Sequence, residues 1–366
     1  MKNTRKRYLF SIVILTVLFG GIVLVLSILW NKPLGPALGL STTGGEETMS
    51  AQQDSVSVVE STPTPSSLLS QILGLLQQPS NPGDTICNGP AVMTILVIGS
   101  DERADDYLYG LADSIRVVRI DFTTSKAMIL DIPRDLWVEI PGIADHYGIT
   151  HGKLNQAYFF GNPGMGYYDG PGEGPGLLAQ TLYQNFGLQV DHYLAVDRTT
   201  FVRIIDAIGG IDVKVDDTID LNQSQENTDP KLVFEPGNHH LDGEMALKIA
   251  VNRSISIFQR ARYQNIVLRA LQDKLLSPAI IPQLPQLITQ FTQSVQTDLS
   301  PSDLNHLVCI GQALTKDNTS IVAFPEDMFT AESTYDPYRK VNTFTLGADF
   351  DQLRTYFEEF MNGIWP

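Results

Sequence analysis

The feature that most constrains this chain is Tyr8–Trp30, a stretch of 23 residues that contains no charged side chain. As an α-helix it is about 35 Å long, enough to cross a hydrocarbon core of about 30 Å with some tilt. A buried helix of a soluble protein is the weaker interpretation for so long an uncharged stretch at a chain terminus. A cleaved signal peptide has a shorter apolar region, roughly 7–15 residues, and no convincing cleavage site follows Trp30. The sequence therefore predicts an uncleaved membrane anchor over residues 8–30.

The charges that flank this anchor predict its orientation. Lys2, Arg5, Lys6 and Arg7 precede it, and Lys32 follows it closely. Because Lys and Arg are retained on the cytoplasmic side, residues 1–7 are predicted to be cytoplasmic. The rest of the chain is then an extracytoplasmic body on a single-pass cell-membrane anchor. No ATP pool exists on that side, so a reaction there needs a substrate that arrives already activated.

The body is strongly acidic, which excludes one class of partner. The chain has 25 Lys and Arg and 41 Asp and Glu, and five of the basic residues lie in the first 32 positions, where there is no acid. The remainder therefore carries 20 basic against 41 acidic residues, a net charge of −21. Affinity for DNA or RNA comes mainly from Lys and Arg on phosphates, so the sequence predicts no nucleic-acid partner.

Composition divides the rest of the chain into three parts. Residues 31–90 are rich in Ser, Thr, Gly, Pro and Gln, which predicts a mostly flexible linker. Its one apolar pattern, Leu68–Leu76, is compatible with a short amphipathic helix on the membrane or on the domain. The folded domain is predicted over residues 91–275. Helical periodicity in the tail predicts a helical extension over residues 276–366 that packs on the same domain.

Apolar runs alternate with helical patterns along the domain, which favours an α/β layered fold. A glycine-rich segment, Gly161–Gly176, is predicted to be a surface loop. The predicted strands are Met93–Gly99, Ser114–Phe122, Ala127–Pro133, His192–Asp197 and Ile211–Val215. The predicted helices are Leu177–Phe186, Thr199–Ile208, Asp242–Ala250 and Arg260–Leu276, followed in the tail by Leu284–Val295 and Pro301–Leu314.

Polar residues gather at the predicted strand ends, where sites in open α/β sheets lie. Asp101 follows the first strand and Arg134 follows the third, so these two are expected to meet. Asp113 precedes its strand and is expected to reach the site from a loop. The other candidates are Arg103, Asp135, Lys153 and Asn155, joined by Arg253, Arg260 and Gln264 from a later helical region.

This mixture of residue types has a chemical logic. Arginine and lysine suit a phosphate or pyrophosphate, and arginine can bind it through two parallel hydrogen bonds. Carboxylates suit Mg²⁺, a hard ion that prefers oxygen. The sequence contains no P-loop, no Gly-x-Ser-x-Gly and no His-Glu-x-x-His motif.

Seven segments between Met93 and Ala270 together resemble the LytR–CpsA–Psr family. The Ile-Pro-Arg-Asp segment and "FVRIIDAIGGIDV" are the most specific. The segments, in chain order, are "ILVIGSDER", "ADSIRVVRID", "ILDIPRDLWVEIPG", "HGKLNQAY", "VDHYLAVDRTTFVRIIDAIGGIDVKV", "EPGNHHLDGEMAL" and "RARYQNIVLRAL".

The resemblance implies a fold and an activity. The implied fold is a central mixed sheet with helices on both sides and an apolar pocket for a prenyl chain. The implied activity is a phosphotransferase that takes a glycopolymer from a polyprenyl-pyrophosphate carrier and attaches it to peptidoglycan through a phosphodiester. The implied partners are this lipid-linked glycan, peptidoglycan and membrane lipid.

The resemblance also implies a role for each candidate residue. Asp101 and Asp113 would hold Mg²⁺, and Asp113, Arg134 and Asp135 would be catalytic. Asp135 and Asn155 would also support the pyrophosphate cradle. The residues that would form this cradle are Arg103, Arg134, Lys153, Asn155, Arg253, Arg260 and Gln264.

This chain departs from the family pattern at several positions. Leu111, Val251 and Tyr263 stand where the family usually has arginine, and an aspartate expected near Ile257 is replaced in a shortened loop. Either Arg262 and Arg119 supply the missing charge, or the site binds a different headgroup, or catalysis is weak.

Three functions are therefore compared. The first is the wall transferase. The second is a non-catalytic, membrane-tethered module that binds prenyl-pyrophosphate lipid or wall polymer. The third, a transcriptional attenuator as an older label of the family suggests, conflicts with an acidic body that faces outward.

The two cysteines leave a structural question open. An oxidising compartment allows Cys87 and Cys309 to pair if the tail packs back on the sheet, and two buried free thiols are the alternative.

Overall fold

The computed structural model describes residues 30–38, 85–101, 110–146, 148–222, 229–252, 257–291 and 294–365. The predicted anchor apart from Trp30, most of the predicted linker, and the site candidates Arg103 and Arg253 lie outside these residues. Within the described ranges, no helix combines the length and the apolar character needed to cross a membrane.

Five strands precede the first α-helix of the described chain, and a long β-hairpin lies near its C-terminal end. The strands are β1 (Val92–Ser100), β2 (Ala112–Asp121), β3 (Lys126–Ile132), β4 (Trp137–Glu139), β5 (His151–Lys153), β6 (His192–Val196), β7 (Ile211–Val215), β8 (Ile219–Asp220), β9 (Val233–Phe234), β10 (Gly237–Leu241), β11 (Gln296–Thr297), β12 (Thr319–Ala323), β13 (Phe329–Asp336) and β14 (Val341–Ala348). The helices are α1 (Leu154–Gly161), α2 (Glu173–Phe186), α3 (Arg198–Ala207), α4 (Gly243–Ala250), α5 (Ile257–Leu275), α6 (Leu284–Phe291), α7 (Pro301–Gly311) and α8 (Phe350–Met361).

The central sheet is mixed, with the strand order β11-β6-β1-β2-β3-β12. β2 runs antiparallel to both β1 and β3, whereas β6 is parallel to β1 and β12 is parallel to β3. The carboxyl ends of β1, β3 and β6 therefore meet the amino end of β2 at one edge of the sheet.

Successive residues of a strand face opposite sides of a sheet, and both sides of this sheet are covered. On the first side, Leu96, Ile98 and Val117 are fully buried in a core that α1, α2 and α8 complete. On the second side, Met93 and Ile120 pack against α7 near one end of the sheet. Nearer the other end, α3, α4 and α5 lie over this side with a core of their own. The predicted α/β arrangement, a mixed sheet with helices on both sides, is confirmed.

The connection between α3 and β7 shows why a glycine pair is needed. Gly209 and Gly210 both have positive φ, 76° and 77°, a conformation that side chains with a Cβ rarely adopt. A Cβ at Gly210 would lie 2.7 Å from the carbonyl oxygen of Leu241. The pair lets the chain reverse directly from the helix into β7, which pairs with β10 outside the central sheet.

The tail differs from the predicted helical extension. It contains helices, but β12 is the outermost strand of the central sheet, next to β3, and β13–β14 form a hairpin. The run "TSIVA" of β12 is short, and its β-branched residues suit a strand beside β3. The glycine-rich segment Gly161–Gly176 also differs from a surface loop, because Tyr167 is buried in the first core and α2 begins at Glu173.

Part of the predicted flexible linker is bound to the body. The backbone N–H of Leu34 donates to the carbonyl oxygen of Leu299 at 3.2 Å, and Leu38 is buried in the first core. Residues 31–38 therefore lie against the domain directly after the predicted anchor.

The two cysteines form a disulfide, which decides between the alternatives that the sequence left open. Cys87 and Cys309 have Cα atoms 5.8 Å apart and join the turn before β1 to α7. The bond closes a loop between positions separated by 222 residues. Cross-links of this kind restrict the unfolded chain and thereby raise the free energy of unfolding, typically by about 2–4 kcal/mol.

We predict that reduction of this disulfide lowers the free energy of unfolding by about 2–4 kcal/mol. Urea unfolding followed by fluorescence, with and without reductant, measures the difference. The double variant Cys87→Ser/Cys309→Ser is the control, and its unfolding should not respond to reductant. Two alkylatable thiols in the unreduced, folded chain would contradict the prediction.

Candidate functional site

Strand direction brings the candidate residues together. Asp101 follows β1, Arg134 and Asp135 follow β3, and Asp113 is the second residue of β2, whose amino end lies at the same edge. Asp113 therefore reaches the site from within a strand, not from a loop as the sequence suggested. The antiparallel position of β2 between β1 and β3 is the reason.

Asp113 lies between two arginines. Nη1 of Arg134 donates a hydrogen bond to Oδ1 of Asp113, and Nη2 of Arg198 donates to Oδ2 at 2.9 Å. The same Nη2 atom is 4.0 Å from Oδ2 of Asp101. Asp101 is held in place because its Oδ1 accepts the backbone N–H of Leu111 at 2.8 Å. The carboxylates of Asp101 and Asp113 thus face a common position, which a guanidinium nitrogen occupies.

A second carboxylate organises the other half of the site. Asp135 accepts a hydrogen bond from Nζ of Lys153 at 2.9 Å and lies 3.4 Å from Nε of Arg134. Nη2 of Arg260 lies 3.9 Å from Oδ2 of Asp135. Among the described residues, four cationic side chains therefore meet the carboxylates of Asp101, Asp113 and Asp135 along one cleft. Asp131 also lines this cleft and is paired with Arg116, so the cationic side chains still outnumber the carboxylates by one, which suits an anion.

Backbone hydrogen bonds hold the segment after β3 in place. The N–H of Leu154 donates to the carbonyl of Leu136 at 2.8 Å, and the N–H of Asn155 donates to that of Arg134 at 3.1 Å. The start of α1 is thereby fixed beside the cleft, with Lys153 at its N-cap. Asn155 is buried, and its position supports the Arg134 backbone.

A largely buried ion pair lies between the two spaces, with Asp131 lining the cleft and Arg116 lining the apolar cavity described below. Nη2 of Arg116 is 2.9 Å from Oδ1 of Asp131, and Nη1 donates to Asn265 at 2.7 Å. Burial lowers the pKa of Arg116, and Asp131 opposes that shift. Burial likewise raises the pKa of Asp131, against the effect of Arg116 and then of Arg260. Removing one partner of such a pair leaves an uncompensated charge and costs about 3–5 kcal/mol.

An apolar cavity of about 310 Å³ opens on the other side of Asp113. It lies between the sheet and helices α3, α4 and α5, and this size is within the range of small-molecule sites. Asp113, Ser114 and Gln264 line both the cavity and the cationic cleft. The apolar side chains of the cavity wall include Val97, Leu194, Val196, Phe201, Leu268 and Leu271.

The structure brings together Asp101, Asp113, Arg134, Asp135, Lys153, Asn155 and Arg260. Gln264 borders both spaces, with its amide nitrogen donating to the carbonyl of Ala250 at 3.1 Å. Among the residues described, no group of three or more His, Cys, Asp and Glu side chains is arranged to hold a metal ion. A metal at Asp101 and Asp113 would rest on two carboxylates from this set.

Arg198 is a site residue that the sequence analysis missed. It is the first residue of α3, directly after the N-cap Asp197, whose side chain accepts the N–H of Thr200. The predicted strand His192–Asp197 could have indicated Arg198, because the residue after a strand parallel to β1 lies at the same end of the sheet as Asp101. Its direction could not be read from the sequence.

The two arginines expected to compensate for missing charge lie elsewhere. Arg119 faces the opposite side of the sheet from Arg116, and its Nε donates to the carbonyl of Met361 at 2.9 Å. Arg262 is exposed and pairs with Glu326 at 3.6 Å. Of the three alternatives that the sequence left open, the positions of Arg119 and Arg262 therefore do not support compensation by these two residues, whereas Arg198 does supply a positive charge at the site.

Known proteins resemble this chain in sequence and in fold. The sequence model described as the LytR_cpsA_psr family matches residues 76–345. The chain is 32% identical over 219 residues to the polyisoprenyl-teichoic acid–peptidoglycan teichoic acid transferase TagU of Oceanobacillus iheyensis. The matched region covers 59% of this chain and 62% of that protein. The match thus spans about three fifths of this curated relative.

Solved structures show the same fold. The crystal structure of Bacillus subtilis TagV matches with a TM-score of 0.57 and 25% identity, covering 76% of this chain and 100% of that one. TagT, a LytR-CPS2A-psr family protein whose structure holds octaprenyl pyrophosphate, matches with a TM-score of 0.51 and 22% identity. That match covers 79% of this chain and 94% of TagT.

We predict that Arg198→Ala weakens the binding of inorganic pyrophosphate at least about tenfold, because a hydrogen bond to a charged group contributes about 1.5–3 kcal/mol. Titration calorimetry on the full chain measures the affinity. The matched control is Arg203→Ala, on the same helix but beside the Phe291 ring. Equal affinities for Arg198→Ala and the unmodified chain would show that Arg198 does not contact the anion.

Proposed function

Because the chain belongs to the LytR–CpsA–Psr family, we propose that it is a membrane-anchored, extracytoplasmic transferase. It moves a glycopolymer from a polyprenyl-pyrophosphate carrier to peptidoglycan and forms a phosphodiester link. The observation that carries the proposal is an apolar cavity that shares Asp113 with a cationic cleft. A polyprenyl pyrophosphate has the same two parts, an apolar chain joined to an anionic head.

The relatives support the choice of substrate. The name of TagU states that it transfers teichoic acid from a polyisoprenyl carrier to peptidoglycan. The TagT structure holds a polyprenyl pyrophosphate. Transfer of these properties to this chain is part of the proposal, since TagT shares the fold at 22% identity.

In the proposed complex, the prenyl chain lies in the cavity against side chains such as Leu194 and Leu271. Each buried methylene contributes about 0.8 kcal/mol, so part of one prenyl chain is enough to anchor the lipid. The pyrophosphate lies in the cleft, where Arg134, Lys153 and Arg260 surround it and Arg198 stands at the border with the cavity. Arg103 and Arg253, which lie outside the described residues, remain predicted members of this cradle.

The transfer exchanges one phosphate bond for another. The oxygen of a peptidoglycan hydroxyl bonds to the phosphorus that carries the glycopolymer, and the bridging P–O bond of the pyrophosphate breaks. Polyprenyl phosphate leaves, and the hydroxyl proton passes to water at the open mouth of the cleft. Arg134 and Lys153 stabilise the charge that develops on the phosphate oxygens, and Asp135 keeps both cations in place. The pyrophosphate bond thus supplies the activation that ATP cannot supply outside the cell.

Asp101 and Asp113 are the proposed ligands of Mg²⁺. Their Oδ2 atoms face one nitrogen of Arg198 at 4.0 and 2.9 Å, so the pair fits a cation, and carboxylate oxygen is the donor that Mg²⁺ prefers. Bound Mg²⁺ would neutralise charge on the phosphate oxygens. Arg198 holds the two carboxylates together when they bind no metal.

The alternative function is a non-catalytic module that binds the lipid-linked polymer. In its favour is an inference from the family resemblance, namely that Leu111, Val251 and Tyr263 replace family arginines. Val251 lines the apolar cavity, where it contributes to lipid binding but not to charge stabilisation. Binding without turnover would identify this alternative.

We predict that filling the cavity separates lipid binding from anion binding. The variant Leu271→Trp places an indole where the prenyl chain is proposed to lie, so affinity for a polyprenyl pyrophosphate should fall at least about tenfold. Affinity for inorganic pyrophosphate should not change, because the cleft is untouched. Calorimetry with both ligands tests this, and equal lipid affinity in variant and unmodified chain would exclude the cavity as the lipid site.

We predict that the full chain releases polyprenyl phosphate when it is mixed with a polyprenyl-pyrophosphate glycan, Mg²⁺ and a peptidoglycan oligosaccharide. Asp113→Asn should bind the lipid but lose Mg²⁺-dependent release by two orders of magnitude or more, about the loss seen when one group that stabilises a transition state is removed. Asp216→Asn, at an exposed carboxylate beside Lys214, is the control. Lipid binding without any release by the unmodified chain would favour the binding module.

A further inference from the structure

The C-terminal hairpin presents large apolar side chains to solvent. Tyr335 on β13 is 57% exposed, and Phe344 on β14 is 44% exposed. Burial of such rings is favourable, and exposed groups of them mark interaction sites more often than isolated ones do. The hairpin is thus a candidate binding surface.

The strand register places these rings on one face together with polar groups. Tyr335 pairs with Asn342, and Ser333 pairs with Phe344. Because alternate residues share a face, these four side chains form one surface, which we call the hairpin ledge. On the opposite face, Thr345 and Asp336 are buried against the body, and Nε2 of Gln156 donates to Asp336 at 2.9 Å.

The ledge begins at the functional site. Nζ of Lys153 lies 5.9 Å from the centroid of the Phe344 ring, within the range of a cation–π contact. Two residues further along β14, the N–H of Leu346 donates to the carbonyl oxygen of Asp135 at 2.9 Å. One edge of the cleft is therefore continuous with the ledge.

The order of these features across the molecule indicates from which side the attacking hydroxyl approaches the phosphorus. The apolar cavity lies over β6, β1 and β2, the cleft lies at the ends of β2 and β3, and Lys153 and the ledge follow beyond Asp135. In phosphoryl transfer the attacking and leaving oxygens are roughly in line with the phosphorus. If polyprenyl phosphate leaves toward the cavity, the attacking hydroxyl arrives from the side of the ledge.

We propose that the hairpin ledge binds the acceptor, a peptidoglycan glycan strand, and delivers its hydroxyl to the cleft. This inference rests on the proposed transferase function. Sugar rings have apolar C–H faces and polar edges, and the ledge offers the same alternation, with two aromatic rings beside the amide of Asn342 and the hydroxyl of Ser333. The step is the one written above: the glycan oxygen gains a bond to phosphorus as the bridging P–O bond breaks.

A lipid surface is the competing occupant, because Arg339 and Lys340 lie at the hairpin turn and Val341 is exposed beside them. The observations favour the glycan. Val341 lies on the face opposite to Tyr335 and Phe344, so the apolar groups do not form one membrane-facing surface, and the ledge alternates rings with hydrogen-bonding groups.

The test compares Tyr335→Ala with Tyr183→Ala on the full chain in lipid nanodiscs. Tyr183 is a control of equal chemistry, 54% exposed on α2. Tyr335→Ala should raise the KM for a peptidoglycan oligosaccharide about tenfold, as expected when an aromatic anchor is truncated. The KM for the lipid-linked donor, and kcat at saturating acceptor, should stay within about twofold of the unmodified chain, because truncation of an exposed side chain away from the cleft leaves its geometry intact. Asn342→Ala should also raise the KM for the peptidoglycan oligosaccharide.

Direct binding distinguishes failure of this inference from failure of the proposed function. Calorimetry with the same oligosaccharide should show binding that Tyr335→Ala weakens, even for a chain that releases no polyprenyl phosphate. An unchanged acceptor KM in Tyr335→Ala, in a chain that does transfer, overturns the ledge and leaves the transferase intact. Loss of binding to anionic vesicles in Tyr335→Ala, with glycan affinity unchanged, overturns it in favour of a lipid surface.

Discussion

The contact of Asp113 with two arginines is the interaction around which the site is built. Arg134 reaches this carboxylate from the end of β3 and Arg198 reaches it from the start of α3, so one side chain ties together three strands of the sheet. The same contacts fix the border between the cationic cleft and the apolar cavity. In the proposed complex, this charged border separates the polar head of the ligand from its apolar chain.

Around that border the charged side chains are paired, including Arg116 and Arg198, which line the cavity. Arg116 and Asp131 are both buried on the side of the sheet that carries the site, and each offsets the desolvation of the other. Gln264 lies between the two spaces and contributes polar atoms without a further charge. The arrangement lets the cavity remain apolar within a few residues of four cationic side chains.

Much of the fold was predictable, and the reasons are local. The runs that became β1 and β2 are rich in β-branched residues, and α3 and α4 follow aspartates that cap their first turns. The tail was harder, because β12 is five residues long and has no period that separates a strand from a buried helix. The roles of Asp101 and Asp113 toward Mg²⁺, and the span of the predicted anchor, remain predictions that rest on residue types and their order.

The sequence by itself determined the family, the α/β class, the acidic body and the set of polar residues that follow the strands, because each of these is written in local pattern or in motif order. Tertiary structure alone decided which of those residues meet. The parallel pairing of β6 with β1 brings Arg198 to Asp113, whereas alternation along β2 turns Arg119 to the opposite side of the sheet. It also decided that a hairpin from the far end of the chain borders the cleft at Lys153. Such contacts join residues far apart in sequence, and their formation depends on strand direction and packing, which no local pattern encodes.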